Sequence, residues 1–313
     1  MSKWNALFLL FLVWGCATRQ LPDAPLQEAQ AEKKTYFVRI PITKFSSIQS
    51  PCIDVKIGSA VLSMELDLGY RGEVTVVKPS IDLIKPKTFL QEYLMYGIQG
   101  KEYSVNLYHI PKVQIDTIIF NHLILQEEEP AMMQDTTFVP QGQEPAPKPP
   151  GRLGWELFRH THLLLDVKQA EIAFCDSLET LESQGYSVND FAQTPLFLER
   201  GFMEIQAETP EGLVRCMLDT GSTLNFFHVA TEEGHTIEQM VWDPDNVFTY
   251  PSFKIGGKDF GPVTLHCVPI KLPIRIEAIL GMEFFQENRV FFDFPGQYAY
   301  ISPASVDANG TPR

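Results

Sequence analysis

The run C-M-L-D-T-G-S at 216–222 sets a carboxylate in a tight turn behind an apolar stretch. Gly221 lets the chain reverse without a Cβ clash. The hydroxyls of Thr220 and Ser222 are expected to hydrogen-bond the carboxylate and hold its orientation. A rigid, partly desolvated Asp219 of this kind can move protons, but by itself it is half of an acid–base pair. The question is where a second carboxylate comes from.

An internal repeat supplies it. L-G-W-E-L-F-R-H-T-H-L-L-L-D-V-K-Q-A-E-I-A-F (Leu153–Phe174) matches L-G-M-E-F-F-Q-E-N-R-V-F-F-D-F-P-G-Q-Y-A-Y-I (Leu280–Ile301) at an offset of 127 residues. Gly154 aligns with Gly281, Glu156 with Glu283, Phe158 with Phe285 and Asp166 with Asp293. Repeats of this quality indicate a duplicated unit. The Asp219 turn should then have an upstream partner, and V-L-S-M-E-L-D-L-G-Y (61–70) aligns without a gap on L-V-R-C-M-L-D-T-G-S (213–222). The second carboxylate is Asp67, with Gly69 as its turn glycine. The first unit is 25 residues longer between motif and repeat. The Pro/Gln-rich, aperiodic stretch 127–150 accounts for the difference as an insertion loop.

The elements that position these turns read as strands. Period-two patterning marks 104–108, 112–119 and 122–126 in the first unit. In the second it marks 252–255, a Gly256-Gly257 hairpin turn and 263–269. Each repeat copy reads as a Leu-Gly turn, a helical turn, then two strands joined at 167–170 and 294–297. Helical spacing is confined to 79–94 and, more weakly, 231–240. The fold class is all-β, with two lobes at 35–180 and 190–304, a linker over 176–192 and a tail at 305–313. Glu156 and Glu283 are expected to cap helical turns. Asp166 and Asp293 should serve turns or salt bridges, and Glu127–Glu129 a solvated loop face.

With 313 residues and 44% hydrophobic content, the chain can fill two cores. Its net charge of −14 speaks against nucleic acid as a partner. At the N-terminus, Lys3 and the short apolar run 6–14 form an export signal too short to span a bilayer. The segment 1–16, ending in Gly15-Cys16, resembles a bacterial lipoprotein signal. That resemblance implies lipid on Cys16 and attachment to a membrane, facing the periplasm or cell surface; an ordinary signal peptide is the alternative. Residues 17–34 read as a flexible tether. An exported compartment permits disulfides, and Cys52, Cys175, Cys216 and Cys267 allow three pairings. No Cys/His spacing suggests a metal site. His160 and His162 read as surface or packing residues.

The motifs together resemble the aspartic peptidases of the retropepsin/pepsin clan, duplicated on one chain, over 35–303. In that clan each lobe carries an Asp-Thr/Ser-Gly turn and, later, two apolar residues and a glycine packed beneath it. The second lobe matches with Asp219-Thr220-Gly221-Ser222 and Ile279-Leu280-Gly281. The first matches in part with Asp67-Leu68-Gly69 and Arg152-Leu153-Gly154. The run D-L-G-Y-R-G-E-V-T-V at 67–76 resembles the bacterial retropepsin-like form of the turn. The resemblance implies two acid-protease-like β-barrel lobes related by a pseudo-two-fold, with a cleft between them. It implies hydrolysis of peptide bonds in extended polypeptide by Asp67 and Asp219, without metal or cofactor, in a two-lobed monomer. Two close carboxylates share a proton because like charges repel. Asp219, with two hydroxyl neighbours, is expected to be the better stabilised anion. The clan's flap hairpin is matched by 95–101, with Tyr96 and Gly97 at its tip. Leu68, Tyr70 and Arg152 depart from the pattern. They keep two other readings open: a binding module that has lost the chemistry, and a dimer pairing Asp219 between chains.

Overall fold

The computed structural model describes residues 36–42, 44–46, 49–96, 102–129, 149–187, 189–198, 201–228, 246–268 and 276–303. The segments expected to be an export signal and a tether, Gly97, the side chain of Tyr96, most of the stretch 127–150, the 231–240 stretch and residues 305–313 lie outside them. The described residues are mostly strand and form two acid-protease-like β lobes joined by a third sheet.

The first lobe is an eight-stranded sheet in the order 44–45, 51–57, 60–66, 151–153, 74–77, 118–128, 102–115, 88–96. Pairing of Pro51–Ile57 with Glu102–Ile115 closes it on itself. The second lobe is an eight-stranded sheet in the order 247–250, 263–268, 226–228, 278–280, 212–218, 204–209, 254–255, 258–259. The strands leading to both aspartates show why the chain folds this way. Leu62, Met64 and Leu66 point inward while Val61 is exposed; Val214, Cys216 and Leu218 point inward while Leu213 is exposed. Alternation of this kind defines a half-buried strand. It ends at Glu65 and Met217, which are buried as well and lie in register with the parallel partners Arg152 and Ile279.

The six-stranded sheet runs 37–41, 171–175, 162–166, 288–293, 298–303, 192–195. Its centre carries the duplication. His162–Asp166 pairs antiparallel with Asn288–Asp293, and Leu164 lies opposite Phe291. These two residues are 127 apart, the repeat offset, so the pseudo-two-fold passes between them. The polar ends obey the same symmetry. His162 Nε2 contacts Asp293 Oδ1 at 3.1 Å, and Arg289 Nε contacts Asp166 Oδ2 at 3.6 Å. Each aspartate also accepts a backbone N–H in its own turn, from Gln169 at 3.0 Å and Gly296 at 2.7 Å.

Three expectations are corrected. The helix over 79–94 is one turn at Lys78–Ile81, followed by the strand Thr88–Tyr96. Pro86 cannot continue a helix. A register shift between Phe89 and Gln91 breaks the two-residue period and disguised the strand. Glu127 and Glu128 are not a solvated loop: both are buried at the end of the strand Ile118–Glu128. The 176–192 linker contains the helix Leu178–Ser183, with Ser177 as its hydroxyl cap. Cys52, Cys175, Cys216 and Cys267 are free thiols. No helix among the described residues is long and apolar enough to cross a membrane.

Candidate active site

Each aspartate turn hangs from a parallel strand pair. Leu66 is in register with Leu153, and Leu218 with Leu280. Asp67 N–H donates to the Leu153 carbonyl at 2.9 Å, and Asp219 N–H to the Leu280 carbonyl at 3.0 Å. Each turn closes on its own aspartate carbonyl, through Tyr70 N–H at 3.1 Å and Ser222 N–H at 3.2 Å. Trp155 N–H and Met282 N–H then donate to the carbonyls of Tyr70 and Ser222, at 3.0 and 2.7 Å. The two backbones are thus built alike, and the Leu-Gly of each repeat copy is the floor beneath its turn.

The carboxylates face each other across the lobe boundary. A methyl group placed on Gly69 would overlap the Asp219 carboxylate, and one on Gly221 would stand 2.5 Å from Asp67 Oδ1. Only glycine leaves room for the opposing carboxylate at both positions. Asp67 and Asp219 are both buried, at 6% and 5% exposure. Burial, then the nearby Asp67 charge, pushes the Asp219 carboxyl well above the usual carboxylate range. This reverses the expectation that Asp219 is the better stabilised anion.

The reason lies in where the hydroxyls go. Thr220 Oγ1 does not touch the carboxylate; it donates to the Leu66 carbonyl at 2.6 Å and accepts Leu68 N–H at 2.9 Å. Ser222 Oγ donates to the Leu224 carbonyl at 2.9 Å. Gly221 N–H, at 2.8 Å, is the donor that holds Asp219 Oδ1. Thr220 therefore ties the second turn to the first. Leu68, fully buried, has no hydroxyl with which to return the tie. The buried Ser50 Oγ donates instead to the Thr220 carbonyl, adding a second hold from the first lobe.

Arg152 carries the largest difference between the lobes. Its guanidinium is buried beneath Asp67, with Nη1 2.9 Å from Asp67 Oδ2 and Nη2 on Glu128 Oε1. Its Cζ lies 4.9 Å from the centre of the Tyr70 ring, a cation–π arrangement. Burial opposes its charge, but Glu128 and Asp67 outweigh that and hold it protonated. Its strand neighbour Glu65 is buried too, and burial and the Asp67 charge raise its carboxyl. Ser46 Oγ donates to Glu65 Oε1 at 2.8 Å. Tyr70 reaches outward: its hydroxyl and that of Tyr93, on the strand Thr88–Tyr96, both donate to Gln126 Oε1, at 2.9 and 2.8 Å.

Glu128 and Glu65 were not legible as site residues in the sequence, and Arg152 was legible only as a departure from the motif. Polarity at the positions matched by Met217 and Ile279 was the available signal. Glu156 and Glu283 are not caps. Glu156 Oε1 accepts from Arg71 Nε at 2.9 Å, and Glu283 Oε2 accepts Asn225 N–H at 2.9 Å, so both brace the segment after a turn. The strands flanking the expected flap are paired, with Tyr96 opposite Glu102. Its tip, including Gly97, and the lipidation candidate Cys16 lie outside the described residues. No group of three or more metal-binding side chains occurs among the described residues.

No protein-family model matches the chain, and no curated protein matches it in sequence. Solved structures do match. The basic 7S globulin from soybean aligns with a TM-score of 0.56 at 13% identity, over 89% of this chain and 98% of its own. Conglutin gamma, a basic 7S globulin from lupine seeds, gives 0.59 at 12% identity over the same shares. The aspartic proteinase from Irpex lacteus gives 0.50 at 12% identity, over 88% of this chain and all of its own. At these identities the likeness is one of fold, shared by globulins and a proteinase, and this chain has the pepsin-like fold.

Proposed function

We propose that the protein is an aspartic endopeptidase that hydrolyses extended polypeptide, held at a bacterial membrane by lipid on Cys16 and facing the periplasm or cell surface. The observation that carries the reading is the approach of two buried turn carboxylates, each seated over the other turn's glycine. Asp67 and Asp219 would act on one water, with Gly69, Thr220, Gly221 and Ser222 holding the turns. One carboxylate accepts a proton from the water as its oxygen bonds to the scissile carbon, and the other donates a proton to the carbonyl oxygen. Collapse returns a hydroxyl proton to the donor, breaks the C–N bond and passes the first proton to the leaving amine. Water and peptide give acid and amine, and the pair regains its starting state. As flap candidates, Tyr96 and Gly97 would cover the substrate.

A second reading has its own support. Arg152 bonded to Asp67, and Leu68 where a hydroxyl would tie the turns, fit a peptide-binding protein without chemistry. The full chain in detergent, incubated with an unfolded protein from pH 3 to 8 and followed by mass spectrometry of fragments, separates the two. Under the peptidase reading, Asp67→Asn and Asp219→Asn each lower cleavage by at least about 100-fold. Full activity of the Asp67 variant removes the two-lobe pair, and binding without cleavage by the wild type supports the second reading.

A further inference from the structure

The surroundings of the two carboxylates are electrically one-sided. The first lobe presents Glu65 from the strand Ala60–Leu66, Glu128 from Ile118–Glu128, Arg152 from Gly151–Leu153, and Tyr70 from the turn. The matching places of the second lobe hold Met217, Ile279 and Ser222. A guanidinium therefore touches Asp67 from below, while Asp219 is held by the backbone N–H of Gly221. Protonating Asp67 would dissolve a buried ion pair, and protonating Asp219 would dissolve none.

We infer that Arg152 is a positioning residue that polarises the pair: it keeps the shared proton on Asp219 and leaves Asp67 as the anion. The inference rests on the peptidase reading and assigns its two roles. Asp67 takes the proton of the attacking water while the new C–O bond forms, and Asp219 gives its proton to the carbonyl oxygen. On collapse Asp219 recovers a proton from the hydroxyl and Asp67 passes its own to the amine nitrogen as the C–N bond breaks. Arg152, buried beneath Asp67, acts through that carboxylate. Glu128 accepts from Arg152 Nη2, tempering the charge that Asp67 feels.

The test is the pH profile of kcat/KM for the full chain in detergent. Arg152→Met with Glu128→Gln removes the cation and its second carboxylate together. The acid limb then moves up by about one pH unit or more, since an adjacent arginine ordinarily depresses a carboxyl by that much. Arg152→Lys, which keeps the charge, leaves the acid limb at its wild-type position. Glu128→Gln alone, which leaves the guanidinium to Asp67, moves it down, and this variant decides the matter if the double variant does not fold. An unmoved limb in the double variant, or in Glu128→Gln where that stands in for it, overturns the inference. So does Arg152→Lys behaving like the double variant, which would mark a packing role.

Carboxyl carbon NMR of chain labelled at aspartate, with signals assigned through Asp67→Asn and Asp219→Asn, reads the proton directly, whether or not the chain cleaves anything. The proton is expected on Asp219 in the wild type and shared toward Asp67 in the double variant. A proton on Asp67 in the wild type sinks the inference. Wild-type chain with the proton on Asp219 but no cleavage leaves the inference standing and fails the peptidase reading alone.

Discussion

The Asp67 and Asp219 turns have matching backbones and opposite interiors. Under Asp219 lie Met217 and Ile279, and the turn's hydroxyl is spent on reaching across to Leu66 and Leu68. Under Asp67 lie Glu65 and Arg152, and the turn's own side chain, Leu68, is apolar. One turn reaches out with polarity and rests on hydrocarbon; the other rests on an ion network and offers hydrocarbon at the join. The backbone bonds to Leu153 and Leu280 fix the shape in both cases. The side chains beneath are therefore free to set the electrostatics without moving the carboxylates. The two repeats have diverged in charge while keeping geometry.

The largest effect is expected from making the first turn rest on hydrocarbon. Arg152→Met alone strands Glu128 beside Asp67 without their cation and is expected to cost about 3–5 kcal/mol of stability. Adding Glu128→Gln should recover much of that loss. Urea denaturation of the three proteins gives the numbers, and equal losses in the single and double variants would mean that the charges are not the reason.

The shared backbone is tested next. Gly69→Ala drives a methyl group into the Asp219 carboxylate and Gly221→Ala drives one toward Asp67. Each should lower stability by about 1–3 kcal/mol and abolish any cleavage. A tolerated alanine at either site would mean that the carboxylates do not face each other as described.

The hydroxyl tie gives a smaller effect. Thr220→Val removes two buried bonds, about 2 kcal/mol together. Leu68→Thr, which offers the missing partner but forfeits apolar burial, should stay within about 1 kcal/mol of wild type. Thermal denaturation checks both, and a Leu68→Thr loss as large as that of Thr220→Val would show that apolar packing dominates the join.

The gentlest probe is the pH dependence of stability. Burial holds the carboxyls of Asp219 and Glu65 above their ordinary range and brings that of Glu73, which accepts Ile124 N–H beside the first turn, up to about 7. The folded chain then binds more protons than the unfolded chain from about pH 4 upward. Stability contributed by these groups is complete below that point and is lost as pH rises, through about 7 for Glu73. Melting temperature should fall over this range, and more shallowly in Asp219→Asn. A wild-type melting temperature that climbs between pH 4 and 7 would contradict the assignment.

The pairing of Asp67 with Asp219 was legible because duplication leaves a linear trace: an offset of 127 in the repeats and an ungapped match at the turns. The same offset separates Leu164 from Phe291, which meet at the centre of the six-stranded sheet. The strand Thr88–Tyr96 was hidden because one bulge is enough to spoil a two-residue period. Glu128 was hidden because three successive glutamates look solvated until a cation 24 residues away is brought against one of them.

The all-β class, the duplication, the two aspartates and the glycines beside them were legible in the chain alone, since all of these are written in local pattern and spacing. What each aspartate rests on, the service of Thr220 to the neighbouring turn and not to its own carboxylate, and the ion pair of Arg152 with Asp67 emerged on folding. Those are contacts between residues up to 154 positions apart. Whether a buried charge has a partner depends on distance in space, and chain spacing does not encode it.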